Sequence, residues 1–370
     1  MRVLLINSVC GIRSTGRIVA GIAEKYMSEG HECRIAYGRE TAPQKYQNIS
    51  YKITTRLDVK INAFEARLWD NEGFNAKKET RRFIKWADNY DPDVLWLHNL
   101  HGYYINIELL FKWIKSRPHM EVRWTLHDCW AFTGHCSHFS FVGCDRWTTL
   151  CYDCPQTREY PKGCFFDRSK NNYLRKKTAF CGVANMTVVT PSFWLADLVG
   201  KSFLGEYKTE VVHNSIDTEV FTPTESDFRK KHGLEEKIVV LGVASSWGER
   251  KGLYDFVKLA GELDESFSVV LVGLKPSQIK KMPTNIICIE KTDSRRELAQ
   301  IYTAADVFLN LTYDDTYPTV NLEAQACGTP CITYRTGGSI ETVPEANVVG
   351  QGDIEMLIDR LNQFKAKGNV

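Results

Sequence analysis

The chain has 370 residues, 43% hydrophobic and 25% charged, too long for one ordinary core and too apolar for a disordered or fibrous chain. Its formal net charge is only +2, so no global field marks it for nucleic acid. The start "MRVLLINSVCG" lacks a basic flank, and its apolar run is too short for an export signal or a membrane span, so cytoplasmic residence is expected.

In chain order, "RVLLIN" reads as a strand followed by the helix-like "TGRIVAGIAEKYMSEG". The turn between them carries glycines but neither G-x-G-x-x-G nor G-x-x-x-x-G-K-[ST], which argues against a dinucleotide fingerprint or a P-loop. "DVLWLHN" is followed by "INIELLFKWIKS", and "NMTVVTPS" by "FWLADLVGKS", the βαβ rhythm of a parallel sheet. His98, His101 and His127 fall at predicted strand ends of this series, where ligands of such sheets bind. From Cys129 to Cys164 the rhythm breaks into an insertion rich in aromatics and cysteines.

A second series follows: strands "KIVVLGVAS", "SFSVVLVGL", "TNIICIE", "ADVFLNLT" and "PCITY", alternating with "LYDFVKLAGEL", "SRRELAQIYTA" and a run that ends at Gly328. The polar stretch "DTEVFTPTESDFRKKHGLEE" divides the two series, so two α/β domains are expected, residues 1–222 and 223–370, with the boundary near Thr222. The amphipathic tail "DIEMLIDRLNQFKAK" suits either domain, including packing back on the first.

Within the second series, "DDTYPTVNLEAQACGTPC" puts Asp315 in the loop after a strand and Glu323 inside the next helix, which Pro318 opens in its first turn. The amides of Tyr317, Thr319 and Val320 offer donors and a positive dipole end to an anion such as a phosphate. A carboxylate deeper in the helix suits ribose hydroxyls, although by spacing alone both acids fit better as solvated or capping residues. "ASSWGERKG" sets Arg250 and Lys251 after another strand, from where cations can neutralise a diphosphate without a metal.

These pieces carry a resemblance. "DTYPTVNLEAQACGTPCITYRTGGSIE" resembles the E-x7-E region of retaining GT-B glycosyltransferases of family 4, with Asp315 in place of the first Glu. "STGRIVAGIAEKYMSEGHE", "VVTPSFWLADLV", "VVHNSIDTEVFTP", "ERKG" and "ELAQIYTAADVFLN" agree in order, and "HNLHGYY" and "HDCWAFTGHC" are similar to the branch that builds bacterial exopolysaccharide and O-antigen repeats, of colanic-acid type. The resemblance implies a GT-B fold, two Rossmann-like domains whose parallel sheets face a central cleft. It implies transfer of a sugar from a UDP- or GDP-type nucleotide-sugar donor to a saccharide acceptor, lipid-linked, with no catalytic metal. Carried over by residue, Glu323 would bind the ribose, Asp315 the donor sugar and Lys251 the diphosphate, while His127 would lie beside the transferred sugar. The family's arginine falls by spacing at Ser246, so Arg250 is taken to substitute. Gly16 is counted with Tyr317, Pro318, Thr319 and Val320 on the donor side, and His98 and His101 on the acceptor side. A nucleotide-sugar epimerase or hydrolase on the same architecture, or a non-catalytic zinc-containing binding protein, is the alternative.

Cys136, Cys144, Cys151 and Cys154 give C-x7-C-x6-C-x2-C, a spacing that allows a structural zinc site and equally allows reduced, buried thiols. A lipid-linked acceptor would require peripheral membrane contact, for which the basic segment Arg168 to Met186 is the sequence candidate.

Overall fold

The computed structural model describes residues 1–367, and the chain forms two compact units, Met1–His213 and Asn214–Val370. The division falls ahead of the Thr222 expected from composition because Ile216 and Phe221 pack into the core of the second unit.

The first unit contains β1 (Arg2–Asn7), β2 (Glu32–Tyr37), β3 (Ser50–Lys52), β4 (Val94–Leu97), β5 (Glu121–Thr125), β6 (Met186–Thr190) and β7 (Lys208–Val211). They form one sheet in the order β3-β2-β1-β4-β5-β6-β7, with every neighbouring pair parallel. Leu4 and Ile6 of β1 enter one core layer and Val3 and Leu5 the other, so the strand is apolar on both faces, as a sheet covered by helices on both sides requires. The order reverses between β1 and β4, which makes the carboxyl ends of those two strands the place where such a sheet binds ligands.

The second unit repeats this plan with β8 (Ile238–Val243), β9 (Phe267–Val272), β10 (Ile286–Ile289), β11 (Val307–Asn310), β12 (Cys331–Tyr334) and β13 (Val348–Val349). Its order is β10-β9-β8-β11-β12-β13, again all parallel, with the reversal between β8 and β11. Val240 faces one core layer, Val239 and Leu241 the other. The helix Ile354–Lys367 lays Ile354, Leu357 and Leu361 into the core of this second unit.

The insertion carries only short 3-10 turns, at Trp130–Phe132, Ser140–Val142 and Arg146–Thr148, and it packs through the rings of Phe132, Phe139 and Trp147. The helix Ser169–Phe180 that follows narrows the expected basic surface to Arg168, Lys170 and Lys177, which are exposed. Lys176 is wholly buried, and Arg175 forms two bonds to the Glu108 carboxylate at 2.8 and 2.7 Å. The exposed apolar stripe lies elsewhere, on the helix Arg56–Trp69, where Leu57, Ile61 and Phe64 recur at helical spacing on the outer face. Among the described residues no helix is long and apolar enough to cross a membrane.

Candidate active site

At the reversal between β8 and β11, two loops are stitched together. The first runs from β8 through the turn Glu249–Lys251 to the helix Leu253–Glu262. Gly252 joins turn to helix with φ +70°, and a Cβ there would stand 2.1 Å from the Leu311 carbonyl oxygen, so only glycine lets the loops approach. The Arg250 carbonyl accepts from the Tyr313 amide at 2.8 Å and from Thr312 Oγ1 at 3.2 Å, while its guanidinium donates to the Asp314 carbonyl at 2.7 Å. Lys251 Nζ then donates to Asp315 Oδ2 at 2.5 Å, both side chains being about four-fifths buried at 22% and 18% exposure. Arg250 and Lys251 thus divide their work: one braces the backbone of the acidic loop, the other pairs with its carboxylate.

Asp315 is fixed from its other side too. Gly337 has φ +47°, its missing Cβ would lie 2.1 Å from the Asp315 carbonyl oxygen, and the Gly338 amide donates to that oxygen at 3.1 Å. The helix Thr319–Ala326 follows, with Pro318 one residue ahead of it rather than in its first turn. Pro318 supplies no side-chain cap and has no amide hydrogen, so the first-turn donors come from Thr319 and Val320. Tyr317 contributes its carbonyl to Asn214 Nδ2 at 3.1 Å.

Glu323 is the fifth residue of that helix. Its Oε2 accepts from Tyr302 Oη at 3.2 Å, and Tyr302 is wholly buried, its phenol pushed well above its usual range first by burial and then by the Glu323 charge. Asn321 ties the helix down, accepting from Asn310 of β11 and donating to Thr342, both at 2.8 Å. The unit therefore presents, at one switch point, an ion-paired Lys251 and Asp315, the start of a helix and an oriented carboxylate.

At the β1/β4 reversal of the first unit, Gly16 lies in the first turn of the helix Arg13–Ser28, and its carbonyl accepts from the Gly11 amide at 3.0 Å. A Cβ on Gly16 would come 2.9 Å from Val9 Cγ2. Asn7 clamps this loop to the next by donating to the Val9 carbonyl at 2.8 Å and accepting from the Asn99 amide at 3.2 Å. His98 Nδ1 and His127 Nε2 stand 3.0 Å apart at the ends of β4 and β5. Burial, with the neighbouring imidazole second, holds His98 well below its usual range, and burial takes His127 down to about 4. Both rings are neutral at pH 7, so a single hydrogen lies between them.

His101 joins a second chain, with Asp128 at Nε2 (2.9 Å) and Tyr160 at Nδ1 (2.8 Å). Burial would raise the Asp128 carboxyl, but His101 and the Trp130 amide outweigh it and hold it at about 2. Glu72 anchors the loop that carries His101, accepting from the Gly102 and Tyr103 amides at 2.6 and 2.9 Å, where both residues have positive φ. Asp128 is adjacent to His127 in sequence, but its partner His101 is 27 residues away, so nothing local marks the pair. Tyr302 and Glu72 left no local signal, because their partners are far along the chain.

Cys136, Cys144, Cys151 and Cys154 all line one small cavity of the insertion, together with His135. Among the described residues no group of three or more His, Cys, Asp or Glu side chains already stands in an arrangement able to hold a metal ion.

Residues 224–369 match the profile of the family Glycosyl transferases group 1. Over 366 residues the chain is 23% identical to the colanic acid biosynthesis glycosyl transferase WcaC of Escherichia coli K12, covering 94% of this chain and 86% of WcaC. Among solved structures it is similar to the sucrose-phosphate synthase of Thermosynechococcus elongatus, with TM-score 0.69, 15% identity, and 99% of this chain and 90% of that one covered. It is also similar to Anabaena HepE in complex with UDP, with TM-score 0.66, 14% identity, and 98% and 89% covered. The GT-B fold and the enzyme class expected from the sequence are borne out: this chain is a glycosyltransferase.

Proposed function

We propose that the enzyme transfers a sugar, with retention of configuration, from a UDP- or GDP-linked donor to a lipid-linked saccharide in bacterial surface-polysaccharide synthesis, without a catalytic metal. The observation that carries this reading is the Lys251–Asp315 pair at the β8/β11 switch point, immediately ahead of the Thr319–Ala326 helix. A diphosphate reaching that helix start would meet the Thr319 and Val320 amides and the positive dipole end, and would draw the Lys251 ammonium away from Asp315. Asp315, released, would accept from hydroxyls of the donor sugar. Glu323, oriented by Tyr302, would accept from the ribose hydroxyls. As the glycosidic bond breaks, negative charge grows on the departing diphosphate, and the preorganised lysine and amides stabilise it where they already stand. The sugar carbon passes through an oxocarbenium-like state while the acceptor oxygen approaches the same face and forms the new bond. Its proton leaves to the departing phosphate oxygen. His127 keeps the role that the resemblance implies, contact with the moving sugar.

The names of two relatives support the finer parts of the reading: HepE was solved in complex with UDP, and WcaC is named for colanic acid. For the lipid-linked acceptor, the exposed stripe Leu57, Ile61 and Phe64, flanked by Lys60 and Arg67, is the surface suited to an anionic leaflet. A thermal-shift series with UDP and GDP tests the donor assignment, because a ligand that binds only the folded chain raises its melting temperature. A shift with neither nucleotide would sink it.

A further inference from the structure

We propose that the insertion is a metal site: Cys136, Cys144, Cys151 and Cys154 take one thiolate-preferring divalent cation, zinc before others, as a structural staple. This claim is independent of the transfer reaction. Four side chains spread along an irregular segment, with only 3-10 turns to hold them, converge on one cavity of about 10 Å³, room for a single atom. Cys136 and Cys151 are buried and Cys144 and Cys154 partly so, which keeps the four sulfurs away from bulk solvent. The Gly134 amide donates to Cys151 Sγ at 3.2 Å, a bond that strengthens when the sulfur is a thiolate. No other residue fits at Gly134, where a Cβ would lie 2.1 Å from the Ser169 carbonyl oxygen and 2.8 Å from Cys151 Cβ.

Two further observations point to a charged guest. His135 lines the same cavity, its Nδ1 lies 2.5 Å from Asp70 Oδ1, and its Nε2 is buried without any hydrogen-bond partner. A carboxylate behind a histidine is the arrangement that orients rings at metal centres. A thiolate beside His135 would give Nε2 the partner it lacks. Lys176 is wholly buried beneath the segment and donates to the Trp130 and Thr133 carbonyls at 2.7 and 3.1 Å. A divalent ion with four thiolates carries net charge −2, and the Lys176 ammonium beneath the segment supplies part of the compensating positive charge that a buried anionic cluster needs. Binding would release the thiol protons to solvent and form metal–sulfur bonds of about 2.3 Å. An aromatic segment with little regular structure is the kind that such a bond set stabilises.

The test uses the full chain, purified under reducing conditions and dialysed. Mass spectrometry of metals is expected to find about one zinc per chain, and replacement by Co²⁺ to give the near-ultraviolet thiolate-to-cobalt band of a tetrahedral sulfur site. The double change Cys151→Ser with Cys154→Ser should abolish both signals, whereas Cys164→Ser, at an exposed cysteine, should leave them intact. Should the double variant fail to fold, thiol titration of the wild-type chain decides: four thiols protected before chelation and reactive after it support the site. No retained zinc with no cobalt band, equal zinc in the double variant, or thiols equally reactive before and after chelation would each overturn it.

Discussion

Exchanging Asp315 for asparagine separates the two roles that the ion pair combines. Lys251 Nζ and Asp315 Oδ2 are 2.5 Å apart in a largely buried setting. Two unit charges at that distance attract by about 2 kcal/mol in water and about 7 kcal/mol at an effective dielectric of ~20. Dehydration of both groups removes most of this, leaving a net coupling of about 1–2 kcal/mol. A diphosphate must displace that coupling before it gains Lys251. Asp315→Asn should therefore bind UDP or GDP as tightly as the wild type or about 5–30-fold more tightly, the coupling expressed as an affinity ratio. Turnover should fall by about 10²-fold or more, because the sugar loses its charged acceptor. Calorimetric titration of the nucleotide beside initial rates with nucleotide-sugar separates the two effects. Lys251→Met should show the opposite balance, weaker nucleotide binding together with a rate loss of about 10²–10³-fold. If Asp315→Asn weakens nucleotide binding while leaving turnover within threefold, the competition for Lys251 that this reasoning assumes does not exist.

Other outcomes follow from the same geometry. His127 titrates at about 4 in the folded chain against an ordinary 6.5, so the unfolded chain binds the extra proton between those values. Its stability contribution is complete above pH 6.5 and is lost as pH falls to about 4, by about 3 kcal/mol; denaturant titrations at pH 7 and 4.5 should show this drop, reduced in His127→Gln, and an equal drop in both would refute it. Gly337→Ala would push a Cβ into the Asp315 carbonyl, so turnover should fall at least about tenfold with a stability loss of about 1–3 kcal/mol; unchanged kinetics would mean that the Asp315 loop is not set by this turn. Binding to anionic vesicles should be salt-sensitive and should weaken in Ile61→Ser with Phe64→Ser, but not in Arg175→Gln, whose partner is Glu108; flotation insensitive to the double change would remove the Arg56–Trp69 helix from the account.

The sheets were legible because buried parallel strands are apolar on both faces: "VVLGV" and "VFLN" announce β8 and β11 without help from context. The short edge strands β3 and β13 were not, since three or two residues carry no pattern. Lys251 and Asp315 could be singled out from their places after strands, but their bond depends on strand order, which no local pattern encodes. Arg250 reads as a second phosphate cation, and its bond to the Asp314 carbonyl is equally invisible to local pattern, because the two residues meet only through the order of the strands. The basic run after Arg168 misled because a lysine reads as exposed; Lys176 is inside because two carbonyls and the Trp130 ring receive it there. The His98–His127 contact joins residues from different strands, so spacing alone had no means of pairing them.

The central claim is that the β8/β11 switch point of the second unit holds a nucleotide-sugar through Lys251 and Glu323. Calorimetric titration of UDP and GDP against the wild-type chain and Glu323→Ala tests it directly. The account predicts that one nucleotide binds the wild type with a dissociation constant between about 1 μM and 1 mM, the usual range for enzyme substrates, and that Glu323→Ala weakens it at least about tenfold as a ribose acceptor is lost. Neither nucleotide binding, or equal binding by the wild type and Glu323→Ala, would contradict it.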